Sequence, residues 1–362
     1  MPKKIIITVS NSIVYDQRIH RIATALSQKY EVLIIGRQIN DTKLSNQLPY
    51  ATMLLSIPFD KGVLMYAFFN IKLFFWLLFA KYDFVCAVDL DTILPAIFIK
   101  KIYKKTVVYD AHELFPESIE IVNRPFVKNI WEKIEAIAVP KVDGMYTVSQ
   151  SIADYFSRKY KRNCALVRNM PLEQENEINT YTKKSYILYQ GALNVGRGLE
   201  QLILSMHYIE NIPLYIAGDG DLKNELKTLT ERENLQHKVN FLGNITPVEL
   251  KTITQNAFVG INLLENIGLS YYYSLANKFF DYVQAGIPQI CIDFPEYRTL
   301  NQEFEVALLI DNLVPKNIAN LFSSLYNNQS KYNELKNNCI NASKYWNWSN
   351  ESKQLIEFYD QF

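Results

Sequence analysis

Lys278 and Asp281 stand three residues apart in NKFFDYVQ, a run with helical spacing, so the two charges can share one helical face. Lys278 falls in the first turn, where a cation meets the positive end of the helix dipole unless an anion is held there too. The following AGIPQICI turns through Gly286 and Pro288 into a strand-like run. This segment reads either as an ordinary αβ unit with a surface Lys and Asp, or as the place where a phosphate-bearing ligand is gripped. Upstream, GALNVGRG puts Gly191, Gly196, Gly198 and Arg197 between a strand and a helix. Backbone N–H groups there can meet a phosphate, and an arginine can grip it with two parallel hydrogen bonds. The loop lacks the Gly-Lys-Ser/Thr ending of a P-loop and the glycine spacing of a dinucleotide fingerprint. Taken alone it is as readily a structural turn.

The first half offers a second set. His112, flanked by Asp110 and Glu113, follows the strand-like TVVYD, and loops at strand carboxyl ends are where α/β domains place chemistry. It is either a hydrogen-bond donor to a substrate oxygen or a polar loop residue. No second histidine follows at zinc-helix spacing. Asp89 and Asp91 in VDLDT have the spacing of a metal-binding pair, but Asp91 is better placed to cap the helix that follows. In YDQRIHR, Asp16 reads as a helix N-cap, with Arg18 and Arg21 on a helical face toward the loop rim. These arginines either guide an anionic acceptor or are simply solvated.

The elements that must hold these residues alternate. KKIIITV, EVLIIG, DFVCAV, TVVYD and DGMYTVS read as buried strands, separated by helices such as DQRIHRIATALSQKY and TILPAIFIKKIYK, with a short strand near ATMLLSI. That is a parallel α/β domain. Residues 62–82 form the most apolar window. Lys72 at its middle and the α/β units on both sides favour a core crossover helix or one with a face on a bilayer over a membrane span. Residues 172–184 are polar and aperiodic, an expected linker, and a second α/β pattern starts at SYILYQG. The expected division is 1–171, the linker 172–184, a second domain at 185–345, and a C-terminal helix over 346–362 that docks back toward the first domain. The cleft between the domains is the expected ligand site.

Length and composition agree with two folded domains: 362 residues exceed one ordinary core, and 49% hydrophobic with 21% charged residues excludes a disordered chain. Net charge is +1, without the basic excess of a nucleic-acid binder. The sign is uneven, with 23 Lys/Arg against 18 Asp/Glu in residues 1–180 and 15 against 19 beyond. The first half could therefore face an anionic surface. Four scattered cysteines show no disulfide or metal spacing, so a reducing cytoplasm is expected. The short apolar run at the N-terminus reads as a first strand rather than a signal peptide.

With these residues laid out, the chain resembles glycosyltransferase family 4. The motifs are YDQRIHRIATALSQKYEVLII, VDLDT, VVYDAHELFPE, TVSQSIADYF, YQGALNVGRGLEQLI, LYIAGDG, VNFLGNITPVEL and SLANKFFDYVQAGIPQI, in that order over nearly the whole chain. The resemblance implies a GT-B fold, two facing Rossmann-like domains with a deep cleft. It implies transfer of a sugar with retention from a nucleotide diphosphate sugar, UDP- or GDP-linked, to a hydroxyl of a cell-surface polysaccharide or lipid-linked glycan. No metal and no cofactor other than the donor is implied.

Carried over by position, Arg197 and Lys278 match the pair that holds the diphosphate, and Asp281 the carboxylate on the ribose, where the family usually has Glu. Gly191 would line the phosphate side, with Gly243 and Asn244 near the base and Gly218 and Asn277 in the donor-binding set. His112 matches the histidine near the reacting centre, and Asp16, Arg18, Arg21 and Glu113 fall on the acceptor side. Tyr273 stands where the family often carries a Glu toward the donor sugar, with Glu265 further upstream, and Ala276 replaces a proline. The implied setting is cytoplasmic, with peripheral contact on an anionic membrane face. A non-catalytic nucleotide-sugar-binding module and a nucleotide-sugar epimerase of related fold are the alternatives.

Overall fold

The computed structural model describes residues 2–39, 48–173, 186–210 and 212–362. Of the expected linker, residues 174–184 lie outside the described residues, as do 40–47 of the mixed stretch before the third strand. The chain divides into two units, residues 1–169 with 351–362, and residues 170–350.

The first unit runs β1 (Lys4–Thr8), α1 (Gln17–Leu26), β2 (Glu31–Arg37), β3 (Ala51–Leu55), α2 (Val63–Phe79), β4 (Phe84–Val88) and α3 (Ile93–Tyr103). It continues through β5 (Thr106–Ala111), α4 (Ile119–Val122), α5 (Pro125–Ala138), β6 (Gly144–Thr147), α6 (Gln150–Tyr160) and β7 (Ala165–Leu166). All strands pair in parallel in the order β3-β2-β1-β4-β5-β6-β7. Strand order therefore reverses between β1 and β4, and in such sheets ligands gather outside the carboxyl ends at that point. Every residue of β4 and β6 is buried, as expected of strands covered on both faces.

The second unit repeats the scheme: β8 (Ile187–Gln190), α7 (Leu199–Ser205), β9 (Leu214–Ala217), α8 (Lys223–Arg232), β10 (Val239–Gly243), α9 (Pro247–Gln255) and β11 (Val259–Asn262). Then come α10 (Leu269–Tyr272), α11 (Asn277–Gln284), β12 (Gln289–Ile292), α12 (Pro295–Glu303), β13 (Ala307–Ile310), α13 (Pro315–Tyr326) and α14 (Gln329–Ser343). The sheet order β10-β9-β8-β11-β12-β13 matches that of the first six strands of the other unit, with its reversal between β8 and β11.

The last helix, α15 (Trp348–Tyr359), contributes residues from 351 on to the first unit. Tyr359 is buried with its ring near those of Tyr30, Phe84 and Tyr146, and Phe358 meets Tyr146 edge-on at 5.3 Å. Burying each such ring contributes about 1.5–3 kcal/mol, so this segment is part of the first unit's core. Among the described residues no helix is long and apolar enough to cross a membrane. The window 62–82 forms α2, which packs Met65, Phe69, Leu73 and Leu77 inward.

Candidate functional site

In the second unit β10, β9 and β8 are neighbours, and Gly243, Gly218 and Gly191 stand at their carboxyl ends. The Gly191 N–H donates to the Ala217 carbonyl at 2.9 Å and the Gly218 N–H to the Gly243 carbonyl at 2.8 Å. Gly218 has φ +143°, and a Cβ there would collide with the Gly191 carbonyl oxygen, so only glycine lets these strand ends close up. The result is an edge of bare backbone. Asn244 follows it, exposed, and Asn277 opens α11, also exposed.

Lys278 reaches this edge from α11. Its side chain is buried, and a Cβ at Gly191 would lie 3.5 Å from Lys278 Nζ. The Nζ sits 3.7 Å from the centre of the Tyr189 ring, whose hydroxyl is tied to the Ala192 carbonyl at 2.8 Å. Among the described residues Lys278 Nζ has no hydrogen-bond partner. Burial first, and then the nearby Arg197 charge, hold its ammonium well below the usual lysine range; Cys291 and Asp281 oppose this weakly. Arg197 lies with its guanidinium 5.0 Å from the Tyr271 ring centre, and its Nε is also buried without a partner. Two cations pushed together beside bare backbone, with no carboxylate on either ammonium or Nε, form a site whose charge is completed by an anion.

Asp281, one turn along α11, accepts from Gln190 Nε2 at 3.1 Å, and Gln190 Oε1 in turn accepts from Thr254 Oγ1 at 2.7 Å. The spacing of Lys278 and Asp281 was legible in the sequence. Tyr189 and Gln190, which support them from the end of β8, were not singled out. The signal was a Tyr-Gln pair closing an otherwise apolar strand next to a glycine loop. Gly198, with φ +63°, leads into α7, where a Cβ would meet Leu263 at 2.9 Å, so its glycine serves close packing. Tyr273 follows α10 and lies against Tyr272; Glu265 is held by its backbone N–H on the Gly196 carbonyl.

In the first unit the strand ends bring together Ser10, Asp89, Asp91, Asp110 and His112. His112 Nδ1 is 2.8 Å from Asp89 Oδ2, and the imidazole is 35% exposed. Burial disfavours its charge, but Asp89 more than offsets this, and with Glu113 pushes His112 up to about 10. Asp89 has φ +57°, an uncommon backbone for a residue with a Cβ. That turn changes the expectation for Asp91. Instead of capping α3, whose N-cap is Thr92 without a side-chain capping bond, Asp91 is rotated inward, buried, and accepts from Ser10 Oγ. Burial, then the Asp89 charge, raise it to about 7.

The arginine expectation also needs correction. Asp16 does cap α1, accepting from the Ile19 N–H at 3.0 Å. Arg18, however, is not on a solvated rim. It is buried, with Nη2 2.7 Å from Asp110 Oδ1 and Nη1 on Oδ2, and Asp110 is wholly buried. A buried carboxylate at the end of β5 requires such a counter-charge. Arg21 donates to Asn169 Oδ1. Glu113 is adjacent in sequence to His112 and half-buried. Among the described residues no group of three or more His, Cys, Asp or Glu is placed to hold a metal ion.

Comparison with known proteins agrees with this architecture. Residues 16–169 match the family described as Glycosyltransferase Family 4, and residues 172–344 match Glycosyl transferases group 1. Together the two matches take in both units, and the chain belongs to the glycosyltransferases of GT-B fold. An uncharacterized glycosyltransferase of Methanocaldococcus jannaschii is 35% identical over 85 residues, 23% of this chain and 22% of that protein. The match thus spans about a fifth of that relative's length. Sucrose-phosphate synthase of Thermosynechococcus elongatus superposes with a TM-score of 0.83 at 16% identity, covering 99% of this chain and 98% of that one. The Anabaena protein HepE, solved in complex with UDP and glucose, gives 0.80 at 12% identity, covering 99% and 100%. At these identities the likeness is one of fold.

Proposed function

We propose that this glycosyltransferase moves a sugar from a nucleotide diphosphate sugar, UDP- or GDP-linked, to an acceptor hydroxyl, with retention at the anomeric carbon. The observation that carries the reading is Lys278: a buried ammonium without a hydrogen-bond partner among the described residues, beside Arg197 and the Gly191 backbone. A departing diphosphate gathers negative charge, and fixed cations aimed at it stabilise the transition state more than the ground state. Lys278 and Arg197 take that role here, with Gly191 and Gly218 along the phosphates. Asp281, oriented by Gln190, accepts from the ribose hydroxyls. Gly243 and Asn244 lie toward the base, and Asn277 joins the donor set. HepE's complex with UDP supports a nucleotide ligand on this fold.

In the first unit His112 is the residue assigned a catalytic role. With Nδ1 on Asp89, its Nε2–H donates to a substrate oxygen. Glu113 and the loop before Asp16 serve the acceptor. Arg18 acts behind them, by holding Asp110, and Arg21 by holding Asn169. The acceptor is a cell-surface polysaccharide or lipid-linked glycan, met at the cytoplasmic face of a membrane that the protein touches peripherally. The positive balance of the first half supports that side as the one toward an anionic surface.

Incubation with UDP- and GDP-sugars, following nucleotide diphosphate release, tests the donor reading. One donor class should turn over, and Lys278→Ala should abolish release. Release that persists in Lys278→Ala overturns the phosphate assignment.

A further inference from the structure

The first unit carries an apolar surface that its own core does not use. While α2 buries one stripe, it turns Ile71, Phe75 and Phe79 outward, 54%, 55% and 82% exposed. Phe98 and Ile102 of α3 are 55% and 53% exposed on the same side. Between the helices runs a groove of about 440 Å³ whose walls include Ile71, Phe74, Phe75, Leu94, Phe98 and Ile102. That volume lies in the range of small-molecule sites, about 300–1,000 Å³. A helix apolar on both faces lies in a core, in a membrane or against one. No described helix is long and apolar enough to cross a membrane, so the outward face of α2 is one that a partner or a membrane surface can cover.

The charges select the occupant. Helices α2 and α3 carry Lys72, Lys100 and Lys101 and no carboxylate, and Lys104 caps α3. Lys72 donates to the Ser56 carbonyl and Lys100 pairs with Asp143 at 2.6 Å. Lys101, which lines the groove, and Lys104 are exposed. An occupant therefore has an apolar body and an anionic head. A second copy docking face to face would set these lysines against their own counterparts. Asn70, also on the groove wall, donates to the Asp91 main-chain oxygen at 2.8 Å, so the groove adjoins the strand-end cluster.

We propose that the groove between α2 and α3 binds the hydrocarbon chain of an anionic membrane lipid and seats this face of the first unit in the interfacial layer of a bilayer. The proposal rests on the membrane-side location given above and is independent of the donor assignments.

Flotation of the full chain with vesicles of phosphatidylcholine alone, or equimolar with phosphatidylglycerol, tests it. Binding to the anionic vesicles is expected, weaker by about fivefold for each of Lys101→Gln and Lys104→Gln. The double variant Phe75→Glu/Phe98→Glu, both at exposed positions, should lose binding by at least about tenfold with an unchanged thermal midpoint. Lipids brominated along the chain should quench the added fluorescence of Ile71→Trp. Failure to float, or binding unchanged in Phe75→Glu/Phe98→Glu, overturns the proposal. So does a lipid-free dimer that this double variant turns into monomer. Nucleotide diphosphate release from a soluble donor in lipid-free buffer, expected to survive in the double variant, reports on the donor reading separately.

Discussion

Lys278 Nζ rests 3.7 Å from the centre of the Tyr189 ring, buried and with no hydrogen-bond partner among the described residues. The ring's negative face is the main compensation available, and it is worth about 0.5–2 kcal/mol, less than the cost of stripping an ammonium of water. The second unit thus holds its lysine at the expense of stability, as sites prepared for an anion do.

Removing that charge should stabilise the ligand-free protein. Lys278→Met keeps the volume and deletes the buried ammonium, so a gain of about 1–3 kcal/mol is expected, read as a higher thermal midpoint. The pH dependence has a definite sign. Because the folded protein depresses this lysine, the unfolded chain binds the extra proton between the folded value and about 10.4. Lys278 therefore makes wild-type stability rise with pH up to that point, and Lys278→Met should remove this rise.

His112 should titrate far above an ordinary histidine. Asp89 and Glu113 raise it against burial and Arg18, to about 10. Following the imidazole by NMR, Asp89→Asn should bring the midpoint back toward or below about 6.5. Since the folded value is raised, the pair's contribution to stability is complete below about 6.5 and is lost as pH rises through about 10. An unmoved midpoint in Asp89→Asn would remove the pairing from the account.

Arg18 and Asp110 should behave as a unit. Arg18→Met leaves a wholly buried carboxylate uncompensated and should cost about 3–5 kcal/mol in denaturant unfolding. Arg18→Met combined with Asp110→Leu should recover most of that loss. A double variant no better than the single would mean that the bidentate pair is not what holds α1 to the end of β5.

The alternation of strands and helices in both units was open to reading because each buried strand is a compact apolar run followed by a helix with one apolar face, whereas the order of the strands in each sheet was not. The spacing of Lys278 and Asp281 placed them on one turn of α11. Their supports could not be read that way: Gln190 lies 91 positions from Asp281, and only the pairing of β8 with β11 puts its side chain there. Arg18 looked like a rim residue because helical periodicity tells which face a residue takes, not that Asp110, 92 positions on, waits behind that face. Asp91 was misread for a local reason. The positive φ at Asp89 turns the chain so that Asp91 points inward to Ser10, and the spacing Asp-Leu-Asp carries no sign of that rotation.

The central claim, that Lys278 is kept unpaired for a diphosphate, is tested most directly by titration calorimetry of UDP and GDP into the wild type and Lys278→Met. The wild type should bind one of them, and Lys278→Met should bind it at least about tenfold more weakly. Equal affinity in the two proteins would contradict the account.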